Sequence, residues 1–115
     1  MRCFEVTGLS LAIAAVVAFL SSPAAADGDP LAGRKKAQMC AACHGLDGVS
    51  KIAEAPNLAG QNEMYLIAQL TGFQSGARSN EMMNIVVKTL SEDDIANLAA
   101  YYSSIEINIG KIPGQ

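Results

Sequence analysis

The chain contains no tryptophan, only three tyrosines and three phenylalanines, and a single histidine, His44. So few large rings leave little material for a core. A short chain with a thin core usually needs a staple: a disulfide framework, a metal or a cofactor. Cysteine is equally scarce, at Cys3, Cys40 and Cys43. Basic residues are outnumbered, eight Lys and Arg against eleven Asp and Glu, and the net charge of −3 argues against nucleic acid as a partner. One apolar run stands out, Leu11 to Leu20. It falls short of the roughly 20 residues a spanning helix needs.

That run follows Arg2 and precedes Pro23 and the small residues Ala24-Ala25-Ala26. The order of charge, apolar stretch and A-x-A site predicts a cleaved secretory signal peptide over residues 1–26. One domain is then expected over residues 27–115. Loss of the leader would remove Arg2 and Glu5 together and leave the net charge unchanged.

Cys3 would leave with the leader, so Cys40 and Cys43 remain. Two residues apart, they cannot serve as a disulfide framework. His44 follows them directly, and Cys40-Ala41-Ala42-Cys43-His44 is a C-x-x-C-H sequence, the attachment pattern of c-type haem. The spacing has a physical basis: both thiols add across the vinyl groups on one edge of a porphyrin. The adjacent imidazole then lies beneath the ring, within reach of iron, and two alanines leave the macrocycle room. A structural zinc site would need four Cys or His ligands, and beyond the leader there is no second histidine and no second cysteine pair. A thioredoxin-like dithiol would need strand–helix–strand alternation around the motif, which is missing.

A haem iron with a histidine on one side commonly takes a methionine sulfur on the other, which raises the reduction potential. Beyond the leader the methionines are Met39, Met64, Met82 and Met83. Met39 adjoins Cys40 and is too close to reach the far face. Met64 opens a helical pattern and is expected to fill core space. Met82 and Met83 lie in a segment without periodicity, expected to be a loop, and either could be the ligand.

Asp29-Pro30 reads as a helix start, with good helix formers from Leu31 to Ala42 leading into the motif. Gly45 to Gly60 reads as loop, punctuated by glycines and Pro56. The Pro56 carbonyl is a candidate acceptor for the free N–H of His44, a bond that would orient the ring. Tyr65, Leu66, Gln69, Leu70 and Phe73 recur at helical spacing in a second helix, 62–73. Ser91 followed by Glu92, Asp93 and Asp94 opens a third helix, with Ile95, Leu98, Ala99 and Tyr102 as its apolar stripe. Gly33 is expected to leave space for Tyr101 or Tyr102. A short alternation at Ile107 and Ile109 is the sole strand signal, so the chain is expected to be all-α. Arg34, Lys35 and Lys36 point in different directions on a helix and read as a solvated face.

The run from Cys40 to Gly48, then Pro56 to Gln61, Tyr65-Leu66, Gln69-Leu70, Phe73, Gly76 to Arg78, Met83, and Leu90 to Ile95 through Leu98 to Tyr102 resembles bacterial class I cytochromes c. The likeness is to one half of the two-haem c-four type and to its single-haem relatives. It implies three to four helices wrapped around one covalent haem c, with thioethers at Cys40 and Cys43 and His44 as proximal ligand. Met83 is implied as the distal ligand over Met82, because the family's methionine lies a fixed distance before the capping serine, here Ser91. The segment Met83-Asn-Ile-Val-Val departs from the family in being more apolar.

The resemblance implies an exported periplasmic protein that passes single electrons between redox protein partners, such as an oxidase, a reductase or a dehydrogenase. It is not expected to be an enzyme or to bind a small-molecule substrate. A haem subunit of a dehydrogenase complex is the alternative, and an open-site haem peroxidase or gas sensor is a third reading. A second haem for a two-haem relay would come from a homodimer or a partner.

Overall fold

The computed structural model describes residues 27–115. The expected signal peptide, with Cys3, lies outside these residues. Five α-helices follow one another: α1 (Pro30–Lys36), α2 (Ala41–His44), α3 (Glu63–Ser75), α4 (Glu81–Val86) and α5 (Glu92–Ser103), with 3₁₀ turns at Ala37–Met39 and Val87–Thr89. There is no strand among the described residues, and the architecture is all-α as expected. Ile107 and Ile109 sit in irregular, exposed chain, because two alternating residues without a partner strand have nothing to pair with.

Local chemistry sets the helix ends. Asp29 caps α1 by accepting from the Leu31 N–H at 2.8 Å, with Pro30 at the first position. Ser91 and Asp94 form a reciprocal capping box on α5, both bonds at 3.0 Å. α2 stops at Gly45, whose φ of 72° is one that L side chains rarely adopt.

The frame of the molecule is the α1–α5 crossing. At Gly33 a β-carbon would collide with the Asn97 carbonyl and come within 2.7 Å of the Tyr101 Cβ, so only glycine lets the two backbones approach. The expected aromatic neighbour is thus Tyr101 rather than Tyr102. Asn97 Oδ1 accepts from the Asp29 N–H at 2.7 Å, and Lys36 pairs with Asp94 at 2.9 Å. The core gathers Ala37, Leu66, Phe73, Val87, Leu90, Ile95, Leu98, Ala99 and Tyr102. Met64 stands outside it at 71 % exposure. Its place at the start of α3 turns it to solvent, contrary to the expectation of core filler.

Candidate functional site

The C-x-x-C-H segment is carried in by the α1–α5 frame. Its first residue, Cys40, follows the 3₁₀ turn after α1, and α2 ends on His44. The next two residues are tied to α5: Tyr102 Oη donates to the Gly45 carbonyl at 3.2 Å and Tyr101 Oη to the Leu46 carbonyl at 2.6 Å. Burial pushes the Tyr102 hydroxyl far above its ordinary value, so it stays a donor.

His44 is 7 % exposed, and its Nδ1 lies 2.9 Å from the Pro56 carbonyl. A carbonyl can only accept, so Nδ1 is the donor in this bond and Nε2 is the ring nitrogen left for a metal. The expected contact between Pro56 and His44 is present. Cys40 and Cys43 are free, half-buried thiols. Burial, reinforced by the neighbouring Cys43 and opposed by Lys36, pushes the Cys40 thiol up to about 11. Redox-active dithiols work with a lowered pKa, so the microenvironment is the wrong one for a thioredoxin-like pair.

Both thiols and His44 line a cavity of about 420 Å³. α3 supplies one wall with Leu66, Leu70 and Phe73, and α5 another with Leu98, Ala99 and Tyr102. Arg78, Asn80, Met82 and Met83 close a further side. For comparison, an engineered apolar cavity of roughly 150 Å³ already holds benzene. Close-packed interiors do not keep apolar voids of this size without a purpose. Two thiols and an imidazole on one wall, apolar side chains around, and thioethers on another side are the donor set and lining that suit a haem.

Met82 and Met83 both lie on α4, not on a loop. Asn80 caps this short helix, accepting from the Met82 and Met83 N–H groups at 3.1 and 3.0 Å. Met83 packs against the core, whereas Met82 is 63 % exposed. A smaller cavity of about 60 Å³ joins Met39, Cys40, Cys43 and His44 to Met82 and Met83. Cys40, Cys43, His44, Pro56, Met82 and Met83 therefore all line one space. Asn80 and Asn84 were not singled out from the sequence. Asn80 followed by the acidic Glu81 is a cap signal, masked by the lack of periodicity in a six-residue helix.

Comparison with known proteins places the chain. Residues 26–101 match the family described as cytochrome C oxidase, cbb3-type, subunit III. Cytochrome c4 of Pseudomonas aeruginosa is 42 % identical over 79 % of this chain and 45 % of its own length. Cytochrome c-554(548) of Halomonas halodenitrificans is 42 % identical over 69 % of this chain and 99 % of its own. A thiosulfate dehydrogenase electron acceptor of Thiomonas intermedia is 39 % identical over 92 % of this chain and 48 % of its own. The crystal structure of reduced recombinant cytochrome c4 from Pseudomonas stutzeri superposes with a TM-score of 0.66 at 38 % identity, covering 72 % of this chain and 48 % of that one. The chain spans about half the length of the cytochromes c4 it matches. A wall of two thiols and one imidazole on an apolar, all-helical cavity thus has a family to go with it: the chain belongs to the class I c-type cytochromes of the cbb3-type subunit III family, and its cofactor is one covalently bound haem c.

Proposed function

We propose that the chain is a periplasmic single-haem electron carrier, exported with cleavage after Ala26. Haem c, when bound, supplies a one-electron iron couple. In this reading the sulfurs of Cys40 and Cys43 anchor the cofactor, and His44 offers Nε2 to the iron while Pro56 holds its Nδ1 proton. Met83 offers the opposing sulfur, with Met82 as the runner-up. Leu66, Leu70, Phe73 and Leu98 keep water from the ring, which favours a raised potential. The carrying observation is that the cavity receives His44 on one element and the half-buried Met83 on another; with both bound, no iron position would stay open. A closed site transfers electrons and does not bind substrate, so neither peroxidase nor sensor chemistry is part of this reading.

The rim of the cavity exposes Ile52, Tyr65 and Met82, an apolar edge suited to transient docking of a redox protein. The likeness to a thiosulfate dehydrogenase electron acceptor favours a second reading: a haem-bearing partner dedicated to one dehydrogenase. Recovery with an oxidoreductase at equal stoichiometry distinguishes it from a free carrier or a homodimer.

The test is a visible spectrum of the exported protein, with acid–acetone extraction. Sharp low-spin bands, a weak far-red sulfur-to-iron band in the oxidised form and pigment that resists extraction are expected. Met83→Ala loses the far-red band and Met82→Ala keeps it. A high-spin spectrum that shifts with carbon monoxide overturns the carrier reading.

A further inference from the structure

α4 has few resources of its own to hold its place on the cavity wall. It has six residues and buries none of them fully, and a helix that short does not hold itself in water. Met83 is on it, so something else must fix where the thioether lies.

The side chain of Asn84 does so through three hydrogen bonds to backbone. Its Nδ2 donates to the Phe73 carbonyl at 2.7 Å and to the Arg78 carbonyl at 3.0 Å. Its Oδ1 accepts from the Asn80 N–H at 2.6 Å. Two carbonyls and one N–H leave a single possible orientation for the amide. The bonds span both sides of the turn between α3 and α4: Phe73 is in α3, Arg78 in the turn, Asn80 at the cap. Asn80 in turn caps Met82 and Met83 directly, and the Asn84 N–H returns to the Asn80 carbonyl at 2.9 Å. The backbone of Met83 is therefore enclosed by a ring of bonds that closes through Asn84.

The same turn is anchored to the buried part of α3. Phe73 is 8 % exposed, the Arg78 guanidinium lies 4.5 Å over its ring, and Arg78 Nη1 donates to Gln69 Oε1 at 2.6 Å. Asn84 itself does not line the cavity, so its influence on the cavity passes through the residues it holds.

We propose that Asn84 is a positioning residue for Met83, locking the α3–α4 turn so that the thioether is held at the cavity in advance of any bond to iron. The proposal rests on the reading of Met83 as an iron ligand. Pre-organisation of this kind lowers the cost of forming the bond, so its loss should appear as easier displacement of the sulfur by an outside ligand. Asn84→Asp is nearly isosteric, but it sets a carboxylate against two carbonyls where two N–H groups stood. Asn84→Ser keeps a single short donor.

The experiment titrates the oxidised, haem-loaded full chain with imidazole, following the far-red band, for wild type, Asn84→Asp, Asn84→Ser and Met83→Ala. Thermal unfolding by far-ultraviolet circular dichroism runs in parallel. Imidazole displaces the sulfur at least about tenfold more readily in Asn84→Asp, with Asn84→Ser in between, at temperatures where both variants remain fully helical. An imidazole affinity within twofold of wild type in both variants overturns the proposal. So does a far-red band that disappears only together with the helical signal, because that is a purely structural role. If Met83→Ala keeps the band, the ligand reading itself has failed, and the proposal falls with it. A band lost in Met83→Ala but unmoved at Asn84 removes the proposal alone.

Discussion

The α1–α5 crossing meets backbone to backbone. Gly33 lies under the Asn97 carbonyl, Asp29 is tied to Asn97, and Lys36 to Asp94. The α3–α4 side is put together otherwise. α4 has no buried residue, and it is joined to α3 by the Asn84 side chain. Gln74 Nε2 adds bonds to the Val87 and Leu90 carbonyls at 2.9 and 2.7 Å. One side is a packed frame that carries the C-x-x-C-H segment. The other is a wall whose inner surface, with Leu70, Phe73 and Met83, faces the cavity. Apolar side chains that face a cofactor gain their burial from it, so the wall's stability should depend on the haem far more than the frame's does.

Removing the cofactor should separate the two sides most sharply. A Cys40→Ala/Cys43→Ala chain has no thioether anchors, and it should lose most of its cooperative unfolding. Hydrogen exchange should rise first in α3 and α4, while α5 amides near the Gly33 crossing keep the greatest residual protection. Equal loss everywhere would mean that the frame is no more self-sufficient than the wall.

Gly33→Ala attacks the frame instead. The added methyl meets backbone, not the end of a flexible side chain, so the helices must move apart. Overpacking of this kind costs about 1–3 kcal/mol. A melting point lowered by about 5–20 °C, with the haem still attached, is the expected result. A shift of a degree or two would show that the crossing can slide without penalty.

The smallest effect concerns acid. Lys36, and after it the Ser91 N–H, hold the Asp94 carboxyl below its ordinary value of 3.8. A depressed carboxylate contributes stability above its unfolded pKa, and that contribution is lost as pH falls through the lower folded value. Asp94→Asn should lower stability at pH 7 and flatten this part of the acid limb below about pH 4, where wild type and variant converge. The pair is partly exposed, with side-chain accessibilities of 34 % and 26 %, so the change should stay under about 1 kcal/mol. Urea midpoints measured from pH 3 to 7 in low salt would check both sign and size.

Much of the site could be read along the chain because its chemistry is local. Cys40, Cys43 and His44 are adjacent, and Asp29-Pro30 and Ser91 to Asp94 are cap signals that need only their own helix. The bond between His44 and Pro56 spans a short loop and was expected on the same grounds. Met64 and α4 were misjudged for a shared reason. A methionine at a helix start and a six-residue helix both lack enough turns for periodicity to say which way they face. Ile107 and Ile109 alternate like a strand, but a strand exists only beside another.

By itself, the sequence determined the cofactor chemistry, the all-helical class and the caps of α1 and α5, since each depends on residues within a turn or two of one another. The tertiary structure alone decided that Tyr101, not Tyr102, is the neighbour of Gly33. It also decided that Met83 turns inward while Met82 faces out, and that Asn84 closes the turn beneath them. Those outcomes depend on how distant helices meet, and no local pattern encodes the distance between two backbones.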